Sequence, residues 1–389
     1  MSLAENAGSF LKGLFRMKKI VSAGHICLDI TPVFPTGHSY DRIGDLLVPG
    51  KLIHMDAASV HTGGSVANTG LALKLLGNDV TLLGKVGKDA FGSIVENILA
   101  GYGAGGLITD EHSSTSYSVV LAVPGMDRIF LHNPGANDSF SAADISEEAL
   151  ADAVLFHFGY PTLMRRMYEG KGAELLKLFR RVKGTGIATS LDLTAVDPQT
   201  EAGQADWLEI LAGTLPYVDF FVPSFEELCY MLDRSCYNAL STMGGDMTEQ
   251  PGILEKADDL ARKCLDLGCG TALIKCGLSG MVYRTGSRDR MAQVGTRLEL
   301  NIDRWADRSG VQPCYRAEIV RSATGAGDVS IAAFLTALIN GETPIDCVKL
   351  AAAEGAASVS NYDPLSGILC PNEMRQRISE YEKGERSYL

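Results

Sequence analysis

The sequence predicts an α/β protein: a mostly parallel central sheet with helices on both faces and a small β lid. Two observations carry this expectation. Short apolar runs rich in β-branched and aromatic residues, such as AVLFHFG (153–159), VDFFVP (218–223) and TALIKCG (271–277), lack the in–out alternation of half-exposed strands. Strands of that kind are buried on both faces. Each is followed by a helix-period stretch or a turn, which is the rhythm of a sheet wound with helices. The length of 389 residues, with 46% apolar and 21% charged side chains, suits one large sheet with its helical layers.

Taken in order, KKIVSAG (18–24) reads as the first strand, ending on glycine. VANTGLALKLLG (66–77) has a helical pattern closed by Gly77, and DVTLLG (79–84) is the next strand. Asp89 is placed to cap a helix running to about Tyr102. Further strands are expected at 153–159, 186–193, 218–223 and 271–277, and AEIV (317–320) as a last strand before a glycine turn. Residues 30–62 and 116–138 hold shorter alternating runs, including SVVLAV and RIFLH, between Pro and Gly turns. They read as antiparallel pieces outside the main sheet, forming a flap or lid. Residues 233–251 and 286–313 read as surface insertions, the second polar and without a clear period. The stretch MSLAENAGSFLKGLFR (1–16) is expected to be an upstream extension, because MKKIVSAG from Met17 resembles a natural start; the folded domain is then 17–389.

Composition removes several function classes. The net charge of −12 and the absence of a basic cluster argue against a nucleic-acid partner. No apolar run approaches the ~18 residues of a membrane span, so a cytoplasmic protein is expected. The nine cysteines form no C-x-x-C pair and read as small buried hydrophobes in a reducing compartment. A dinucleotide fold needs G-x-G-x-x-G after its first strand, but HICLD follows IVSAG; neither a G-K-[ST] phosphate loop nor a G-x-S-x-G nucleophile turn occurs. All seven histidines lie in the first half without metal spacing. His132 and His157, in apolar runs, read as core residues, whereas His61 beside Thr62-Gly63 is a candidate for ligand contact.

The informative stretch is RSATGAGDVSIAAFL (321–335). Apolar residues at 331, 334, 335, 338 and 339 mark a helix that Asn340-Gly341 ends, so Gly325-Ala326-Gly327 forms the turn into it and Asp328 lies in its first turn. Free N–H groups at a helix start attract phosphate, glycines admit a ligand close to the backbone, and a carboxylate there can take a proton from a substrate hydroxyl. That combination suits phosphoryl transfer. Asp328 could equally serve only to satisfy the helix start, where acids are favoured. Two further groups accompany it. Gly63-Gly64 precedes the helix that carries Asn68, whose amide both donates and accepts hydrogen bonds, as polyol recognition requires. Asp29 follows the first strand, where ligands bind in open parallel sheets. Each alone also reads as a turn or surface residue.

With these residues in view, the chain resembles the ribokinase-like (PfkB) carbohydrate kinases from Met17 onward. The resemblance rests on GGSVAN with GKVGKDAFG, then NPGAND (133–138), VPSFEEL (222–228), KCGLSG (275–280) and ATGAGD, in the family's order. It implies ATP-dependent phosphorylation of a hydroxyl on a small sugar-like molecule, with Asp328 as base and Gly325, Ala326 and Gly327 as anion hole. By the same resemblance Asp29, Gly63, Gly64 and Asn68 hold substrate, and Ser224, Lys275, Gly277 and Gly280 line the nucleotide. Glu227 orders Mg2+ through water, and the lid forms a homodimer contact. The chain departs from the family at Ser322-Ala323, where Asp-Thr is usual, at Ser224 for Asn, and at Ser65, where a basic residue is frequent; the stretch 286–313 is longer than expected. These departures leave a monovalent-cation site doubtful and the acceptor undecided. A nucleoside kinase, drawing on Phe34, Tyr40 or Phe130 for stacking, and a non-catalytic sugar or nucleoside sensor are the alternatives.

Overall fold

The apolar runs assemble into one eight-stranded sheet. The computed structural model describes residues 18–383 except 36–41, 125, 127, 318 and 362. The expected extension at 1–16 and Tyr40 therefore lie outside the described residues. In chain order the elements that matter are β1 (Lys19–Gly24), β2 (Cys27–Val33), β3 (Asp56–Gly63), α1 (Ser65–Leu75), β4 (Asp79–Leu83), β5 (Lys85–Gly87), α2 (Ala90–Gly101), β6 (Ile108–Asp110), β7 (Tyr117–Leu121), β8 (Ile129–Asn133), β9 (Ala153–Gly159) and β10 (Ala188–Asp192). They continue with β11 (Phe220–Phe221), α3 (Phe225–Leu232), β12 (Thr271–Lys275), β13 (Met281–Thr285), β14 (Ser309–Gln312), α4 (Ala326–Ile339) and α5 (Pro344–Ser358).

The strand order is β14-β13-β12-β11-β10-β9-β1-β4. Neighbours from β4 to β12 are parallel, and β13 and β14 add antiparallel strands at one edge. Consecutive strand residues point to opposite faces, and the core divides accordingly. Val21, Phe156, Leu191 and Phe221 face one apolar layer, whereas Ile20, Leu155 and Phe220 face the layer built by α4 and α5. Helix α4 is buried at every position from Asp328 to Ile339. The expected one-sided apolar stripe is thus a helix buried all round, between the sheet and α5.

A second, four-stranded sheet has the order β3-β2-β7-β8 and draws on the two stretches read as a lid. Its inner side covers Ile26, Leu28, Val66, Leu71, Val95 and Leu99. Asn137, in the NPGAND segment, ties this sheet to the main body: its amide accepts from Ile26 N–H at 3.1 Å and donates to Ile26 C=O at 2.9 Å. Asp89 caps α2 as expected, accepting from Gly92 N–H at 2.8 Å.

Several expectations are corrected. Residues 317, 319 and 320 are not in a strand, and Ile319 and Val320 are exposed; a short apolar run without a paired neighbour stays a loop. The stretch 286–313 is not a surface insertion. It carries β14, which closes the sheet edge, and buries Met291, Val294, Leu298 and Trp305 against Phe220 and Phe334. Four widely spaced apolar anchors suffice where polar residues between them face outward. His157 is buried, donating to or accepting from Ser190 at 3.0 Å, but His132 is exposed on β8, next to Ser118. Of the cysteines, Cys370 is exposed and Cys236 and Cys314 are only partly covered.

Candidate active site

The parallel register sets Gly24, Gly159 and Asp192 in one row at the carboxyl ends of β1, β9 and β10. Loops leaving that row build the site. The turn Ala323–Gly325 delivers the chain into α4 with Gly325 at φ 78°, and no side chain caps the helix. Val329 N–H makes the first helical bond, to Gly325 C=O at 3.0 Å, so Gly327 and Asp328 N–H have no acceptor within the helix. Ala326 N–H is already taken by Ala323 C=O at 3.2 Å; of the three residues expected to form an anion hole, Gly327 is thus better placed than Ala326. A side chain on Gly325 would strike Pro364, and one on Gly327 would lie 3.6 Å from the Lys275 side chain. An ammonium therefore flanks the helix start.

Asp328 is 3% exposed. Its Oδ1 accepts from Thr69 Oγ1 at 2.8 Å, and its Oδ2 accepts from Tyr160 Oη at 2.7 Å and Asn68 Nδ2 at 3.2 Å. Burial raises the Asp328 pKa above the ordinary carboxylate value, against the pull of Tyr160, Thr69, Lys275 and Asn68. Lys275 Nζ donates to Asp192 Oδ1 at 2.8 Å and to Val222 C=O at 2.6 Å. Burial opposes its charge, yet Asp192, Glu227 and Asp328 together hold its pKa above the usual lysine value. Burial raises Asp192 in turn, with Glu227 and Asp328 adding to the rise and Lys275 opposing it. One cation thus stands among three carboxylates, which keep it charged despite its burial.

The other expected residues fall into two groups. Asp29 lies opposite His61 in the β2–β3 ladder, and its Oδ1 accepts from Cys27 Sγ at 3.3 Å. Gly63 leaves room for that carboxylate: a Cβ there would come within 2.1 Å of Asp29 Oδ2. Gly64, at φ 86°, lies directly on His25, and Asn68 is one turn into α1. On the far side, Ser224 bridges to Lys275, and Gly277 and Gly280 bracket the turn between β12 and β13. Glu227 is engaged in a capping box, its Oε2 accepting from Ser224 N–H at 2.7 Å. Asn68 of the first group donates to Asp328 and the Lys275 charge of the second acts on it, so these two residues meet at the start of α4.

Sequence reasoning missed Thr69, Tyr160, Asp192, His25 and Arg128. Thr69 adjoins Asn68, but α1 is buried on nearly every side, so no helical register singled out the side facing α4. The others carried no local signal. His25 is buried with both ring nitrogens unpartnered, and burial together with His132 pushes its pKa down to about 3. Arg128, on the turn between β7 and β8, donates to Ser322 Oγ at 2.9 Å and to Thr324 Oγ1.

The profile of the pfkB family carbohydrate kinases matches residues 17–368, and the chain belongs to that family. Fructokinase-2 of Oryza sativa subsp. japonica is 28% identical over 176 residues, 43% of this chain and 50% of that protein. Fructokinase-1 of Zea mays is 31% identical over 106 residues, 26% of this chain and 33% of that one. The matched segments thus span half or less of those two relatives. Among solved structures, Arabidopsis thaliana ribokinase complexed with ribose and ATP aligns over 93% of this chain and 99% of its own, with TM-score 0.68 and 19% identity. Xylella fastidiosa fructokinase with bound ATP aligns over 94% and 100%, with TM-score 0.67 and 19% identity. At that identity the structures establish a ribokinase-like fold.

Proposed function

We propose that the protein transfers the terminal phosphoryl group of ATP to a hydroxyl of a small sugar, with Asp328 as general base. The observation that carries this reading is a buried carboxylate in the first turn of an uncapped helix, behind a left-handed glycine and beside a lysine. The carboxylate can accept the acceptor's proton while Gly327 and Asp328 N–H and the Lys275 ammonium face the charge of the transferring group. A pKa raised by burial favours a base working toward neutral pH. Asp29, Gly63, Gly64 and Asn68 form the acceptor side of this reading, and the four-stranded sheet is its lid. Ser224, Lys275, Gly277 and Gly280 form the nucleotide side.

No group of three or more metal-ligating side chains occurs among the described residues. Mg2+ would accordingly take most of its oxygen ligands from phosphates and water, a donor set it prefers, with Glu227 and Asp192 as outer partners. When bound, it supplies neutralisation of phosphate charge. The alternatives draw on less. Of the aromatics a nucleoside would need, Phe130 is 54% exposed on β8.

The test is ADP release with a panel headed by D-fructose and D-ribose, then sugar acids, hexose phosphates and nucleosides. Asp328→Asn, which keeps shape but not basicity, should lower turnover on the best acceptor by about 10²–10⁴-fold with binding largely kept. Undiminished turnover in that variant would refute the assignment of the base. Acceptor binding with no ADP release across the panel would favour the non-catalytic sensor.

A further inference from the structure

We infer that Tyr160 is a positioning residue for the base, its phenol fixing the Asp328 carboxylate so that Oδ1 faces the acceptor hydroxyl. The inference rests on the proposed role of Asp328. It starts from backbone geometry. Tyr160 has φ 64° and ψ 44°, a left-handed conformation, and is not glycine. An ordinary side chain rarely adopts it, and it persists only where surroundings enforce it. They do so here. Tyr160 N–H donates to Asp192 C=O at 3.3 Å, and the adjoining Gly159 C=O accepts from His25 N–H at 3.2 Å. The kink lies at the carboxyl end of β9, in the row that lines the site.

The kink delivers one atom. Tyr160 Oη donates to Asp328 Oδ2 at 2.7 Å, across 168 residues of chain. Burial raises the tyrosine pKa well above its ordinary value, and the Asp328 charge adds to the rise, so the phenol keeps its proton and acts as a donor. Oδ2 then carries two donors, Tyr160 and Asn68, which use both its lone pairs. Oδ1 carries only Thr69 and retains one lone pair. The carboxylate cannot rotate without breaking three bonds, so the basic lone pair has one direction. Preorganisation of this kind lowers the cost of reaching the transition state without touching substrate.

The experiment uses the full chain with [13Cγ]aspartate and needs no identified substrate. Asp328→Asn assigns the Asp328 carboxyl resonance, which is then titrated in the wild type and in Tyr160→Phe. Phenylalanine keeps the ring and its burial and removes only the donor. The Asp328 pKa should rise by about one unit in Tyr160→Phe, and turnover on the best acceptor of the panel should fall about tenfold with the KM for ATP unchanged. Tyr160→Leu, which keeps an apolar side chain without the ring, should show the same pKa rise if Tyr160→Phe proves unstable. An Asp328 titration unmoved by loss of the phenol would overturn the inference. Such a result, with Asp328→Asn inactive, would leave the base assignment standing; an active Asp328→Asn would instead remove the base itself.

Discussion

Two buried carboxylates on neighbouring helices show what partners do to an acid. Asp328 has three donors and a nearby lysine, all opposing the rise that burial causes. Glu354, on α5, has only Leu369 N–H at 3.3 Å on one oxygen, while its other oxygen has no hydrogen-bond partner. Burial pushes Glu354 up to about 7, from an ordinary 4.5. Because the folded value exceeds the unfolded one, the folded state holds the extra proton between them. Stability therefore falls as pH rises through that window, by about 3 kcal/mol once the group is ionised. Glu354→Gln should flatten this dependence. Chemical denaturation at pH 5 and pH 8 would show it: the wild type loses stability across the interval, and the variant loses less. Equal losses would mean that Glu354 is not the titrating group.

At the scale of single elements, the turn into α4 depends on Gly325. Its φ of 78° and the Cβ position 2.6 Å from Pro364 Cγ exclude a side chain for two separate reasons. Gly325→Ala should lower the melting temperature slightly, through a strain of about 1–2 kcal/mol, and reduce turnover far more, because the first turn of α4, which carries Asp328, moves relative to Thr69 and Tyr160. A thermal melt paired with kinetics checks this; turnover kept while stability drops would show that the turn is structural only. The start of α3 illustrates the opposite case. S-x-x-E at 224–227 reads equally as a ligand pattern and as a capping box, and the structure shows the box formed. The second Glu227 oxygen is what remains for an ordered water.

For the whole molecule, the notable link is Arg128, which joins the four-stranded sheet to the loop ahead of α4. Its guanidinium occupies the hydroxyls of Ser322 and Thr324, oxygens a weakly held cation would need, and a neutral serine offers no charge to offset that of an ion. Turnover should accordingly respond less than about twofold to added potassium at constant ionic strength. Arg128→Ala should lower turnover and make it potassium-sensitive. A tenfold activation of the wild type, about 1.4 kcal/mol of barrier, would show that other oxygens hold the ion.

Local pattern was enough for much of this protein. Apolar runs without alternation specified strands buried on both faces, since only helices on each side can cover them. Gly63-Gly64, Gly325 and Asp89 announced turns and caps through backbone restrictions that operate over a few residues. Asp328 and Asn68 stood out because a carboxylate at a glycine-lined helix start and an amide behind a diglycine turn carry a chemical meaning of their own, whereas Lys275 was legible only through the resemblance to a family. The partners of those residues had no such signal. Tyr160, Asp192 and Arg128 bond to Asp328, Lys275 and the Ser322 and Thr324 hydroxyls across 168, 83 and 194–196 positions of chain, from β9, β10 and the β7–β8 turn. Whether 286–313 was surface or core turned on a few anchors, Trp305 among them, whose burial depends on finding Phe220 and Phe334. Periodicity is a property of one segment, whereas a hydrogen bond between distant segments exists only after the sheet has brought their ends into one row.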